Sequence, residues 1–157
     1  MNKRDLRDEL VRILSSTLAD LERAHRETHA GATHEEAKPE NDKDTRALEQ
    51  SYLARGQAQR VVELRNAVGE AQAMPLRAFG PNDPIALGAL VQVEEAETAH
   101  VYFIAPQGGG ARLAAGEVDV VTPKSPLGRA LLGKCAGDSL DVRLGDRVRE
   151  LEITSVS

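Results

Sequence analysis

Aromatic side chains are scarce in this sequence: 3% of residues are aromatic and there is no tryptophan. A large aromatic-lined pocket is therefore excluded, and long exposed helices suit the composition better. A single cysteine, Cys135, rules out an internal disulfide, so nothing ties the chain to an oxidising compartment. Positive charge is in deficit, with a formal net charge of -5, which excludes a surface that binds nucleic acid throughout. The opening MNKRDLRDEL lacks an apolar signal core, and no later apolar run is long enough to span a membrane. A cytoplasmic, soluble monomer with no membrane contact and no sequence-specific DNA binding is the expectation.

What the chain does have is two kinds of periodicity in succession. From Leu6 to Thr28, apolar or small residues recur at spacings of three and four: Leu10, Leu14, Thr17, Leu21, Ala24 and Thr28, flanked by Leu6, Ile13 and Leu18. The second run places Ala47, Ser51, Ala54, Ala58, Val61 and Val68 on one stripe, with Leu48, Val62 and Leu64 beside it. Each helix has one apolar stripe, so the pair predicts an antiparallel coiled-coil hairpin over residues 1–74, roughly 40 Å long. Between the two runs lies EEAKPENDKD at 35–44, an acid-rich turn at the hairpin tip.

Residues 75–84 contain three prolines counting Pro75 and Pro84, with Gly80 between them, and read as a linker. From residue 85 to 157 the period changes to two. Val91 and Val93, Val101 and Phe103, Val118 and Val120, Leu140 and Val142, and Leu151 and Ile153 alternate with polar neighbours. Five or six short strands are expected, with a short helix at Pro126–Leu132 and a loop at Gln107–Gly110. The fold class is α+β.

Three chemical motifs have plain structural readings. Gly128–Lys134, GRALLGK, satisfies GxxxxGK, but Cys135 stands where a phosphate-binding loop needs Ser or Thr. His25 and His29, with His34 nearby, have zinc-compatible spacing without a fixed third ligand, and solvent-facing histidines are the favoured reading. Arg46, Arg55, Arg60 and Arg65 run along the second helix and read either as contacts for RNA or a partner protein or as its charged outer face.

Ser125–Asp138, SPLGRALLGKCAGD, resembles the signature of the C-terminal domain of the bacterial transcript cleavage factors GreA and GreB. Ile85–Val93, IALGALVQV, is similar to that domain's first strand preceded by its Gly-containing turn, and Glu40-Asn41, Glu49-Gln50 and Gly56 fall at the family's offsets in the hairpin. The resemblance implies a C-terminal domain of FKBP-like fold. It also implies docking on RNA polymerase, with the hairpin threaded down the secondary channel. Its acidic tip would help hold a second Mg²⁺, so that the polymerase cuts the 3′ end of a backtracked nascent RNA.

On that reading the chain has no catalysis and no bound cofactor of its own, and Mg²⁺ is shared with the polymerase. The assisting residues at the tip are Glu40, Asp42, Asp44, Glu36 and Asn41, with Glu40 and Asp42 the metal candidates. Ser125, Pro126, Gly128, Gly133 and Lys134 are the polymerase-binding candidates. Hard carboxylate oxygens are what Mg²⁺ takes, and two-metal hydrolysis needs a second ion beside the attacking water.

The tip departs from the family motif: Ala37 stands where the family has an Asp three residues before Glu-Asn, and Asp42, Lys43 and Asp44 stand where it has a small residue, an acid and an aromatic, so only Glu40 and Asn41 carry over directly. That leaves a second reading, a channel-occupying regulator that alters or inhibits transcription without stimulating cleavage. A prolyl isomerase, the activity an FKBP-like fold brings to mind, is disfavoured by the few aromatics: Tyr52, Tyr102, Phe79 and Phe103. The related regulators of nucleoside diphosphate kinase have a shorter coiled coil than the two helical runs here.

Overall fold

A computed structural model of the chain describes residues 1–33 and 45–157. Two long helices come first, α1 at Lys3–Thr33 (31 residues) and α2 at Thr45–Ala73 (29 residues). Six strands and one short helix follow: β1 Leu90–Glu95, β2 Thr98–Ile104, β3 Arg112–Leu113, β4 Val118–Val121, α3 Pro126–Leu131, β5 Ser139–Leu144 and β6 Arg147–Val156. The α+β class, a helical hairpin followed by a β-rich domain, is as the sequence indicates. None of the described helices is long and apolar enough to cross a membrane.

The chain divides into two compact units, residues 13–68 and residues 1–12 with 69–157. In the second unit the strands form one mixed sheet in the order β3-β4-β2-β1-β6-β5. All neighbours are antiparallel except β2 and β4, which run parallel from Tyr102↔Asp119 to Ile104↔Val121. Strand alternation puts Val91, Val93, Tyr102, Ile104, Leu140, Val142, Leu151 and Ile153 into one core with Leu131 of α3. Phe103, Leu113, Val118 and Val120 alternate with these and are also buried.

The same unit contains the first turns of α1 and the last of α2, where Leu6, Leu10, Ala71 and Met74 are buried. The Glu9 carboxylate accepts the Ala114 backbone N–H at 3.0 Å, and Gln107 Nε2 donates to Glu70 at 2.9 Å. These bonds tie the roots of both helices to the loops flanking β3.

A Gly-containing turn at Leu87-Gly88 precedes β1, as the resemblance implies, and pairing begins only at Leu90. Gly88 is the reason: it has φ +83°, and a Cβ there would lie 2.1 Å from the Pro75 carbonyl oxygen. The backbone makes a tight bend against residue 75 before the strand can start.

Within the 13–68 unit the expected stripes hold at most positions. On α1 Leu14 is buried and Leu18, Leu21, Ala24, His25 and Thr28 are half-buried, while Thr17 and Ile13 are exposed. On α2 the inward positions are Ala47, Gln50, Ala54, Gln57, Val61 and Leu64, and Ser51, Ala58, Leu48 and Val62 face solvent. Val62 and Leu48 are 50% and 52% exposed. His25 is thus half-buried on the seam rather than solvent-facing, and its Nδ1 has no hydrogen-bond partner; nor has the Gln57 Oε1. Arg65 joins the helices through Glu22 at 2.7 Å, and Arg60 pairs with Glu63 at 3.0 Å.

Candidate partner-docking site

The acidic tip candidates Glu36, Glu40, Asn41, Asp42 and Asp44, together with Ala37 and His34, lie outside the described residues. Among the described residues no group of three or more His, Cys, Asp or Glu is placed to hold a metal ion. The C-terminal signature is fully described, and its geometry separates residues that build the segment from residues that face outward.

Ser125 is the N-cap of α3. Its hydroxyl accepts the Gly128 N–H at 2.9 Å and donates to the Thr122 carbonyl at 2.9 Å. Pro126 occupies the first helical turn, where a missing N–H costs nothing. Gly128 is buried, and a Cβ there would sit 2.0 Å from the Thr122 oxygen, so only glycine allows α3 to approach the end of β4. Gly133 turns the chain at φ +80° and donates its N–H to the Ile85 carbonyl at 2.9 Å. Ile85 returns the bond to Lys134 O at 2.8 Å.

The last part of the motif is built the same way. Asp138 accepts the Cys135 N–H at 2.8 Å, Gly137 bends at φ +89°, and its N–H reaches Ile153 O at 2.7 Å. Cys135 is half-buried, with its Sγ 3.5 Å from the Asn82 carbonyl oxygen. Six residues of helix followed by strands do not form a phosphate-binding loop, so the GxxxxGK match is a matter of turn geometry.

Of the five signature candidates, Ser125, Gly128 and Gly133 serve the backbone of the segment, and Pro126 and Lys134 are exposed. Arg129 is exposed one helical step from Pro126, and its Nη1 donates to the Lys124 carbonyl at 2.5 Å. Lys124 is exposed as well. Sequence reasoning passed over Lys124 and Arg129. The i, i+3 spacing of Pro126 and Arg129 was the available signal, since it puts both on one helix face.

The strongest electrostatic cluster of the β-rich unit lies elsewhere. Arg149 Nε contacts both oxygens of Glu95 at 2.8 and 2.9 Å and its Nη2 also bonds Glu95. His100 Nε2 lies 3.6 Å from Glu95, and the His100 and Tyr102 rings stack at 6.2 Å. The hydrogen bonds from Arg149 hold the Glu95 carboxyl below its usual range. Glu94, Glu97, Asp141, Glu150 and Glu152 line the adjoining hollow of about 600 Å³, leaving it acidic.

With this geometry in view, the comparison with protein families is specific. Residues 80–157 match the model of the transcription elongation factor GreA/GreB C-terminal domain. Through this domain the chain belongs to the GreA/GreB family. No match was found among curated proteins.

Solved structures similar to the chain include the GreA factor homolog 1 (Gfh1) protein of Thermus thermophilus, at 17% identity, 94% coverage of both chains and a TM-score of 0.41. Gfh1 of Thermus aquaticus is 16% identical over 92% of both chains, with a TM-score of 0.42. The elongation factor GreA/GreB from Nitrosomonas europaea is 17% identical over 60% of this chain and 78% of its own, with a TM-score of 0.38. The GreA/GreB signature of this chain is thus a capped helix locked between the end of β4 and the Ile85 turn. Pro126, Arg129, Lys134 and Asp138 of the signature are exposed, as is Lys124 just before it.

Proposed function

We propose that this chain is an elongation factor that binds RNA polymerase and stimulates cleavage of backtracked nascent RNA. The observation that carries the reading is the pairing of a GreA/GreB C-terminal domain with two helices of 31 and 29 residues joined by the acid-rich 35–44 segment. The C-terminal domain docks through the exposed face of its signature, where Lys124, Arg129 and Lys134 offer positive charge to an acidic surface of the polymerase. The hairpin enters the secondary channel and brings Glu40, with Asp42, Asp44, Glu36 and Asn41, to the polymerase active site.

A donor set made only of carboxylate and amide oxygens suits Mg²⁺, which would supply a polarised water for phosphodiester hydrolysis. The chain's own contribution is positioning: a helical rod provides reach, and its acidic end provides negative charge where the polymerase binds its second ion weakly. The chain itself catalyses nothing, and the hydrolysis is the polymerase's.

A second reading is favoured by one residue. Ala37 stands where the family motif carries an Asp, and without that carboxylate the protein occupies the channel and restrains the polymerase without promoting cleavage. RNA cleavage in a stalled, backtracked complex of the cognate polymerase distinguishes the two. Cleavage by the wild type that collapses in Glu40→Ala, or in an Asp42→Ala and Asp44→Ala double variant, supports the cleavage factor. Binding without cleavage, with activity appearing in Ala37→Asp, supports the channel-occupying regulator, and absence of polymerase binding sinks both.

A further inference from the structure

Lys3, Arg4 and Arg77 line a hollow of about 370 Å³ in the unit formed by residues 1–12 and 69–157, with Phe79 beside them. The Lys3 Nζ stands 4.8 Å from the centroid of the Phe79 ring and the Arg77 guanidinium carbon 4.2 Å from the same centroid. Lys3 also donates a hydrogen bond to the Arg77 carbonyl oxygen. Two cations are therefore gathered on one aromatic ring in a chain whose net charge is negative.

A ring quadrupole attracts cations but carries no net charge, so it concentrates positive charge without neutralising it. The Asp83 carboxylate, 3.8 Å from Arg77, offsets that one charge while also accepting the Gly80 N–H at 2.9 Å, and it leaves the charges of Lys3 and Arg4 standing. Asn2 Oδ1 is used by the Arg4 backbone N–H at 2.9 Å, and the Ser157 carbonyl by Leu90 N–H at 2.9 Å. Among the described residues, neither Lys3 nor Arg4 has a carboxylate within ion-pair distance. Partial burial lowers the Lys3 pKa from the ordinary lysine value, and the like charge of Arg77 lowers it further.

We propose that this hollow binds a phosphate-bearing small molecule, with its phosphate oxygens held between Lys3, Arg4 and Arg77. Lys3 and Arg4, with Arg77 shared with Asp83, leave two positive charges for a ligand with more than one negative charge, and the planar guanidinium fork matches phosphate oxygens. The volume lies within the range of small-molecule sites. The recognised group is the phosphate itself, whether in a free polyphosphate or in a nucleotide.

The test is isothermal titration of the full chain, at low ionic strength, with inorganic pyrophosphate, a nucleoside diphosphate and the unphosphorylated nucleoside. Pyrophosphate and the nucleoside diphosphate are expected to bind, and the nucleoside is not. The relative affinity of the two phosphates tells which source the hollow prefers. Arg77→Ala and Lys3→Gln should each raise Kd at least tenfold, while Arg147→Ala, an exposed arginine on β6, leaves it unchanged. Arg77 is itself exposed, so its replacement is compatible with folding, and unchanged far-UV circular dichroism checks this. Binding should also move the Lys3 pKa upward, read from its side-chain NMR titration. No pyrophosphate binding, equal binding of the nucleoside, or an unchanged Kd in Arg77→Ala overturns the proposal.

Discussion

Replacing Gly128 with alanine is the sharpest perturbation of the GreA/GreB domain that the structure allows. A Cβ at that position would lie 2.0 Å from the Thr122 oxygen, 2.7 Å from the Thr122 carbon and 3.0 Å from the Ser125 Oγ. Ordinary contacts lie near 3.5 Å or beyond, so α3 must withdraw from the end of β4 by more than an ångström. The obstacle is backbone rather than the end of a flexible side chain, and no rotamer change relieves it.

Withdrawal strains three bonds together: Ser125 N–H to Thr122 O at 3.0 Å, Ser125 Oγ to Thr122 O, and Gly128 N–H to Ser125 Oγ. Overpacking costs about 1–3 kcal/mol and loss of a cap about 1 kcal/mol, so the sum is about 2–4 kcal/mol. That is a large part of the stability of a domain held by about 5–15 kcal/mol. Urea unfolding followed through NMR signals of Val91 and Ile153 reports this unit without interference from the hairpin. Gly133→Ala is the control: φ is +80° there but nothing lies within 4 Å of an added Cβ, so only the backbone cost of about 1–2 kcal/mol applies. Ser125→Ala should cost about 1 kcal/mol alone and less when combined with Gly128→Ala, because both act on one contact. A Gly128→Ala variant no less stable than Gly133→Ala would refute the close-approach argument.

Two further predictions concern pH and the hairpin seam. The hydrogen bonds from Arg149 keep the folded-state pKa of Glu95 below its unfolded value of about 4.3, so their stabilisation is present above that value. It is lost as pH falls through the depressed folded pKa. Arg149→Ala should therefore lose less stability than wild type on acidification below about pH 4.3, measured as Tm against pH, and parallel curves would count against the pair. At the seam, the buried Gln57 Oε1 has no partner, so Gln57→Leu should raise the thermal stability of the hairpin by about 1–2 kcal/mol, followed by helical circular dichroism. A loss of stability would mean that Gln57 makes a water-mediated bond.

Local chemistry was what could be read from the sequence. Ser125-Pro126 announced a capped helix because the cap and the first-turn proline act within three residues, and the β strands announced themselves through alternation that the core reproduces at Val91, Val93, Leu151 and Ile153. The helical stripes were read correctly at Leu14, Leu21, Ala47, Ala54 and Val61 and missed at Thr17, Ser51 and Ala58, because Ala, Ser and Thr give little hydrophobic contrast. Gln50 and Gln57 are half-buried on α2 where Ser51 and Ala58 are exposed. The parallel pairing of β2 with β4 and the Arg149–Glu95 bond across 54 positions were not legible at all, since both depend on how distant segments meet. The acid-rich tip remains a reading of composition and family pattern, as it lies outside the described residues.

Why the signature could be recognised while the exposed Lys124 and Arg129 beside it were passed over follows from the same geometry. Ser125, Gly128, Gly133 and Gly137 are each confined by a cap, a 2.0 Å approach or a positive φ, and few residue types meet such demands. Their pattern is distinctive because they build the turn, and that role says nothing directly about a partner. Lys124, Arg129 and Lys134 are exposed, and the fold leaves the choice of residue there open. Charge at such positions is set by what the surface must meet. Lys134 lies beyond the end of α3, so reversing its charge tests the proposed docking without touching the helix: Lys134→Glu should weaken polymerase binding, whereas Ser125→Ala should weaken the domain and affect binding only through its stability.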